Sequence, residues 1–266
     1  MAKVITLLFC QILLLSSLTA QNCTYEKYYY WCGSAAIDQA ANDFKEARRK
    51  FKIAFSQTNF PLAMDLNLAL KVAKETQDSA WAASIAITLA KGGMPLTHFK
   101  DFENDQWYKA FKAQFAEYSD SYKQNFDLEL RNKLIALSLK DSLANNKYHR
   151  WRKGEIEMSL EELIANASGI LEDLKSMIAA HGFPCEQSMG YYYGKGKSAS
   201  FMIVILLTHI YQGGELFYRD RLSNIVCDGK LRPTDQAVLN GVRGFGDSTG
   251  IEQEMKIRYE KYRPRK

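Results

Sequence analysis

Apolar positions recur at three- and four-residue steps along nearly the whole chain, and nowhere do they alternate strictly with polar ones. That periodicity predicts amphipathic helices and no half-buried strand. Ala36, Ile37, Ala40, Ala41, Phe44, Ala47, Phe51, Ala54 and Phe55 follow it first, and Pro61 restarts the chain into Leu66, Leu68, Leu70, Val72 and Ala73. Trp81, Ile85, Ala86 and Leu89 mark a third helix, closed by Gly92-Gly93 with Pro95 just beyond. A fourth carries Trp107, Phe111, Phe115 and Tyr118. A long fifth runs from 128 to about 151, with Leu130, Leu134, Leu137 and Leu143 on one side.

The clearest helix is 159–181. Ser159 and Glu162 form a capping box that satisfies amides at the helix start. Leu160, Leu163, Ile164, Ala167, Ile170, Leu171, Leu174, Met177 and Ile178 then make one stripe, before Gly182 and Pro184 stop it. Residues 199–211 are apolar all round, which predicts a helix buried on every side. Two shorter helices, about 215–226 and 233–242, follow, the second opened by Pro233. The fold class is therefore all-α: a helical-hairpin N-terminal part packed with a C-terminal helical domain.

The beginning of the chain bears on its address. Lys3, an apolar run over 4–15 and the small residues Ser16-Ser17-Leu18-Thr19-Ala20 have the layout of a secretory signal cut at Ala20/Gln21. The run falls short of the roughly 20 residues a membrane span needs. The expectation is a secreted or periplasmic protein, with no transmembrane span in the mature chain and little nucleotide triphosphate around it. The organisation expected is a signal over 1–20, a helical region over 21–122, a second helical domain over 123–250 and a polar basic tail over 251–266. An aromatic content of 12% excludes a disordered chain. Net charge is a mild +5, with basic residues dispersed among acids outside the tail, so nucleic acid is not an expected partner.

Cys10 leaves with the signal, and Cys23, Cys32, Cys185 and Cys227 remain. In an oxidising compartment four cysteines suggest two disulfides with three possible pairings. Cys23–Cys32 with Cys185–Cys227 is the preferred set, because each bond stays within one half of the chain. Metal binding competes but lacks CxxC or HxxxH spacing, and His98, His149, His181 and His209 are scattered, so neither a metal nor another cofactor is expected. Lipid attachment at Cys23 is a lesser alternative, since Thr19-Ala20-Gln21-Asn22 matches lipoprotein processing poorly.

Phe44-x-x-Ala47-x-x-x-Phe51-x-x-Ala54, with Trp31 upstream, resembles the second helix and first-helix aromatic of a tetratricopeptide repeat. Ala69, Ala73, Gln77-Asp78 and the segment 81–92 resemble a following helix, loop and helix. The match covers about 28–93 and departs at Ser34 and Asp38, where the motif prefers Leu and Tyr. It implies stacked helix pairs whose concave face docks a protein or peptide. Tyr28, Tyr29, Tyr30, Asp38, Arg48 and Lys52 are placed near that face.

Leu174-x-x-Met177-Ile178-x-x-His181-Gly182-Phe183-Pro184, Gly190, Leu206-Leu207-Thr208-His209, Leu222 and Gly229-Lys230-Leu231-Arg232-Pro233-Thr234-Asp235 resemble a bacterial domain family with no assigned activity. The resemblance implies a helical fold in a bacterial envelope setting and no particular reaction. Thr208 stands where relatives carry Gln, and Asn240-Gly241-Val242-Arg243 replaces an acidic pair.

Candidate chemistry is sparse. Gly190 to Ser198 superficially matches a phosphate loop, but five residues rather than four separate its first Gly from Gly196-Lys197-Ser198, and no strand precedes it. A tyrosine-lined connector is the favoured reading, with an anion held by Lys195 and Lys197 as the alternative. His209, near the end of the buried helix, is the best acid–base candidate, against a core histidine bonded to a carbonyl. His181 reads as a helix cap. Arg243 and Asp247 flank a glycine turn. No GxSxG or HExxH motif occurs. The leading functional reading is protein or peptide interaction. The rival is an enzyme using His209, with Arg243 or Lys197 holding an anionic substrate.

Overall fold

The computed structural model describes residues 23–242 other than 192, 195 and 196, and describes backbone alone at 160, 163, 164, 193, 194 and 197–200. The segment read as a signal, the basic tail, Lys195, Arg243 and Asp247 lie outside the described residues, as does the side chain of Lys197.

Four helices open the fold: α1 (Glu26–Ala40), α2 (Phe44–Phe55), α3 (Ala63–Glu75) and α4 (Ser79–Lys91). The apolar run over 36–55 is thus split in two. Asn42 takes φ +60° and reverses the chain, and Asp43 then accepts a bond from the Glu46 amide at 3.1 Å to start α2. The turn between α3 and α4 is built the same way, with Gln77 at φ +53° and Asp78 capping the Trp81 amide at 3.2 Å. An amide five residues on closes both turns, Asp43 onto the Asp38 carbonyl and Asp78 onto that of Ala73. Ala35, Ala47, Ala54, Ala69, Ala73, Ala82 and Ala86 are all buried where these hairpins meet. Small side chains there let the backbones approach closely.

A 3₁₀ segment (Leu96–Phe102) leads to α5 (Tyr108–Ala113) and α6 (Phe115–Asn125). The fourth helix expected from sequence is broken at Gln114, whose φ and ψ are −98° and 3°. The break leaves Phe111 in ring contact with Phe99, Trp107, Phe115 and Tyr118. The second half comprises α7 (Leu128–Arg152), α8 (Leu160–His181), the one-turn α9 (Glu186–Met189), a two-residue hairpin β1 (Tyr193–Gly194) with β2 (Lys197–Ser198), α10 (Ala199–Gln212), α11 (Leu222–Cys227) and α12 (Pro233–Gly241). Ser159 caps α8 through the Glu162 amide and Gly182 closes it at φ +81°. The stretch read as one helix over 215–226 is a loop, a 3₁₀ turn (Arg219–Arg221) and then α11. The protein is all-α, and no described helix is long and apolar enough to cross a membrane.

The chain closes on itself. Cys23 is joined to Cys227, not to Cys32, and both Cys32 and Cys185 are buried free thiols. The preferred pairing is therefore wrong. Locality in sequence was a poor guide because the first helix packs beside the last two. The Tyr25 amide donates to the Cys227 carbonyl at 3.2 Å, and the Tyr29 hydroxyl donates to that of Leu231 at 2.8 Å.

A second seam joins the halves through glycine. Gly190, at φ +78° and ψ −171°, lies against the Gly92 carbonyl, and the Tyr122 ring covers both it and Gly93. The Tyr191 amide donates to Gly92, and its hydroxyl donates to the Pro61 carbonyl at 2.6 Å. The start of the glycine-rich loop is thus core, not phosphate cradle. Gly190→Ala will lose about 1–3 kcal/mol to backbone strain and a similar further amount to the collision with Gly92. Gly182→Ala, equally strained but facing open space, will lose only the first part. Urea melts of the two variants separate the contributions.

Candidate functional site

The long helix α7 carries Leu130, Leu134, Leu137 and Asp141 on its buried side. Leu143, assigned to that stripe from sequence, is 60% exposed instead. The helical step from Leu137 leads to 141, so a carboxylate occupies the position where another leucine was expected. Asp141 has 6% of its side chain exposed.

Its partner is His209. The two carboxylate oxygens lie 2.8 and 3.0 Å from Nδ1 of the imidazole, across the contact between α7 and α10. An ionised carboxylate only accepts, so Nδ1 carries the hydrogen and donates it. With Nδ1 bonded to Asp141, Nε2 is the remaining ring nitrogen, and it has no hydrogen-bond partner among the described residues. The ring is 27% exposed and lines a cleft of about 390 Å³.

α10 is therefore not buried on every side. Met202, Ile203, Leu206, Leu207, Ile210 and Tyr211 face the core, whereas Phe201 is exposed and Thr208 and His209 are half-buried. The cleft mouth carries Asn145 and Tyr148 from α7, Asn166 and Ser168 from α8, and Glu215 from the loop after α10. Ala144, Ile170, Leu171 and Ile210 supply its apolar wall. An apolar wall, a few convergent polar groups and an oriented histidine could together hold a small molecule. From sequence His209 was read as the acid–base candidate beside a core histidine bonded to a carbonyl, and the structure bonds it to a carboxylate instead. Asp141 was missed, although a charge in register with three buried leucines was the available signal.

The residues expected at a docking face are placed differently. Tyr28 and Tyr29 are interior, while Tyr30 is half-buried with its ring against Trp31. Asp38 pairs with Lys50 at 2.6 Å and ties α1 to α2. Arg48 and Lys52 both reach Asp78, at 3.4 and 2.8 Å, and Lys52 also lies over the Trp81 ring. The Lys52 bond is the main reason the Asp78 carboxyl is held below its ordinary range. These charges hold one hairpin to the next.

Tyr28 and Tyr29 belong to a buried polar cluster joining both ends of the chain. Asp65 on α3 is 2% exposed at its side chain, accepts from the Tyr28 hydroxyl at 2.7 Å and pairs with Arg232 Nη2 at 2.9 Å. Asp235 caps α12 through the Arg232 amide at 3.0 Å. Burial opposes charge on the Arg232 guanidinium, but Asp65 and Asp235 outweigh it and hold it above the usual range. Burial, then Asp65, pushes the Cys32 thiol well up, so it is held protonated and unreactive.

His181, the other candidate histidine, acts at a helix junction. Its Nδ1 donates to Asp127 at 2.9 Å, and Lys133 donates to its Nε2 at 3.0 Å. Asp127 also caps α7 through the Leu130 amide, and that bond leads the causes that lower its carboxyl pKa. Both ring nitrogens of His181 are occupied, which separates it from His209.

No family model, curated protein or solved structure matches this chain.

Proposed function

We propose that the cleft at His209 is the working site of an exported helical protein, and that His209 moves a proton there while Asp141 holds its ring. The observation that carries this reading is the buried Asp141 on Nδ1 of a ring that lines the cleft, which leaves Nε2 as the nitrogen available to a ligand. A carboxylate behind an imidazole fixes its tautomer and stabilises the cation formed when the exposed nitrogen takes a proton. No nucleophile motif accompanies the pair, so the chemistry is general acid–base action on water or on a ligand hydroxyl. Export is supported by the Cys23–Cys227 bond, which an oxidising compartment preserves.

The test is turnover of a panel of chromogenic esters and glycosides by the full chain. His209→Gln is expected to lower kcat by about 10²–10⁴. Asp141→Asn is expected to lower it as well, because an amide can donate to Nδ1 and select the wrong tautomer. Turnover by the wild type that neither variant changes would remove His209 from the reaction.

A second reading, docking of a protein or peptide on the N-terminal hairpins, is supported by the repeated turn at Asn42-Asp43 and Gln77-Asp78. Crosslinking of the full chain in its native envelope tests it. A partner joined through α1–α4 would support docking, and crosslinks confined to other surfaces would count against it.

A further inference from the structure

We propose that the His209 cleft takes an uncharged, hydroxyl-rich ligand, a carbohydrate of one or two rings, rather than an anion. This inference rests on the reading of the cleft as the working site. It follows from what lines the cleft and from what does not.

Among the described residues lining it there is no lysine or arginine. The chain as a whole carries 35 basic residues against 30 acidic ones, so the lack of cations is local. The contrast with the neighbouring groove between α7 and α8 is direct. That groove, also about 390 Å³, is lined by Lys133 and Lys140 together with Asp173, which pairs with Lys140. In the His209 cleft the charged groups are carboxylates. Asp141 is committed to the imidazole, and Glu215 stands exposed at the mouth. A phosphate or carboxylate ligand would meet negative charge there and no counter-ion among the described residues, which is unfavourable.

The remaining polar groups fit hydroxyls. Asn145 and Asn166 each offer an amide that donates and accepts, and Ser168 offers a hydroxyl that does both. A sugar hydroxyl likewise donates and accepts, so neighbouring hydroxyls can be satisfied pairwise by such side chains. The apolar wall of Ile170, Leu171 and Ile210 matches the C–H face of a pyranose ring. A simple amine would satisfy Glu215 but leave the amide donors without acceptors. The volume lies within the range of small-molecule sites.

The experiment is an NMR titration of the isotope-labelled full chain, following the His209 ring and the side-chain amides of Asn145 and Asn166. The probes are glucose, N-acetylglucosamine, glucosamine and glucose 6-phosphate. The expected result is saturable shifts at all three residues with the two uncharged sugars, and at least tenfold weaker binding of the phosphate. Asn166→Ala and Asn145→Ala, at half-buried positions outside the core, are each expected to weaken the uncharged sugars by about 3–10-fold. Tightest binding by glucose 6-phosphate, or binding by glucosamine alone, would overturn the proposal. So would sugar binding that neither asparagine variant alters. If no sugar binds but other neutral fragments shift the His209 ring, the carbohydrate class falls and the site stands. If nothing of any charge reaches the ring, both fall.

Discussion

Replacing Arg232 with alanine is expected to destabilise the protein by about 3–5 kcal/mol, the cost of leaving a buried charge without its partner. Asp65 is almost wholly enclosed and holds Tyr28 on one oxygen and Arg232 on the other. Without the guanidinium, the enclosed Asp65 lies near the half-buried Asp235 with no cation paired to it. The carboxyl of Asp235 is already raised by its burial, with the Arg232 amide and charge acting against that rise. The unpaired state is relieved by protonation, so the variant is expected to lose less stability in acid than at neutral pH. Adding Asp65→Asn to Arg232→Met removes both charges while keeping an oxygen for the Tyr28 hydroxyl. That double variant is expected to recover much of the loss, as buried pairs replaced together often do. Guanidinium melts of the single and double variants check this. A single variant within about 1 kcal/mol of wild type would show that the cluster does not bind α3 to α12 as described.

Removing the Cys23–Cys227 bond is expected to lower stability by about 2–5 kcal/mol. It closes a loop of 204 residues, so about three-quarters of the chain loses freedom in the unfolded state when it is intact. For a chain of this size the loss corresponds to a fall of about 4–20 °C in Tm. Cys23→Ser, Cys227→Ser and a reducing agent on the wild type should produce the same fall. Cys32→Ser and Cys185→Ser break no cross-link, so the reducing agent should still lower their Tm as it lowers that of the wild type. Mass spectrometry of the unreduced digest is expected to yield one linked peptide, Cys23 with Cys227. A Cys23–Cys32 peptide would contradict the packing of α1 beside α11.

How far the sequence revealed this molecule follows from the range of each interaction. The helix of 159–181 was legible because its determinants are local: a serine cap, an apolar stripe and a terminal glycine. The end of α4 at Gly92 was legible for the same reason. Periodicity alone hid the split at Asn42, since a single left-handed residue interrupted an apolar period that continued on both sides, whereas the resemblance at Trp31 and Phe44 to Ala54 already put two helices there. The partner of Cys23 was not legible, because it depends on α1 reaching residues two hundred positions away. Tyr29 was placed outside for a related reason. Its hydroxyl is satisfied by the Leu231 carbonyl, which no local pattern announces.

The site shows the same division. His209 stood out as a polar residue near the end of an apolar helix, and the structure lines a cleft with it. Asp141 went unnoticed because Leu143 was read into its place on the α7 stripe. Arg48 and Lys52 looked like free basic residues until the α3–α4 turn brought Asp78 to them.

The central claim is that Asp141 holds His209 by Nδ1 and leaves Nε2 at the cleft. A long-range ¹H–¹⁵N spectrum of the histidine rings, recorded on the full chain at alkaline pH, reads the tautomer directly. The expected spectrum gives His209 a protonated Nδ1 and an unprotonated Nε2, with that preference lost in Asp141→Asn. A wild-type ring protonated at Nε2, or one exchanging freely between tautomers, would contradict the account.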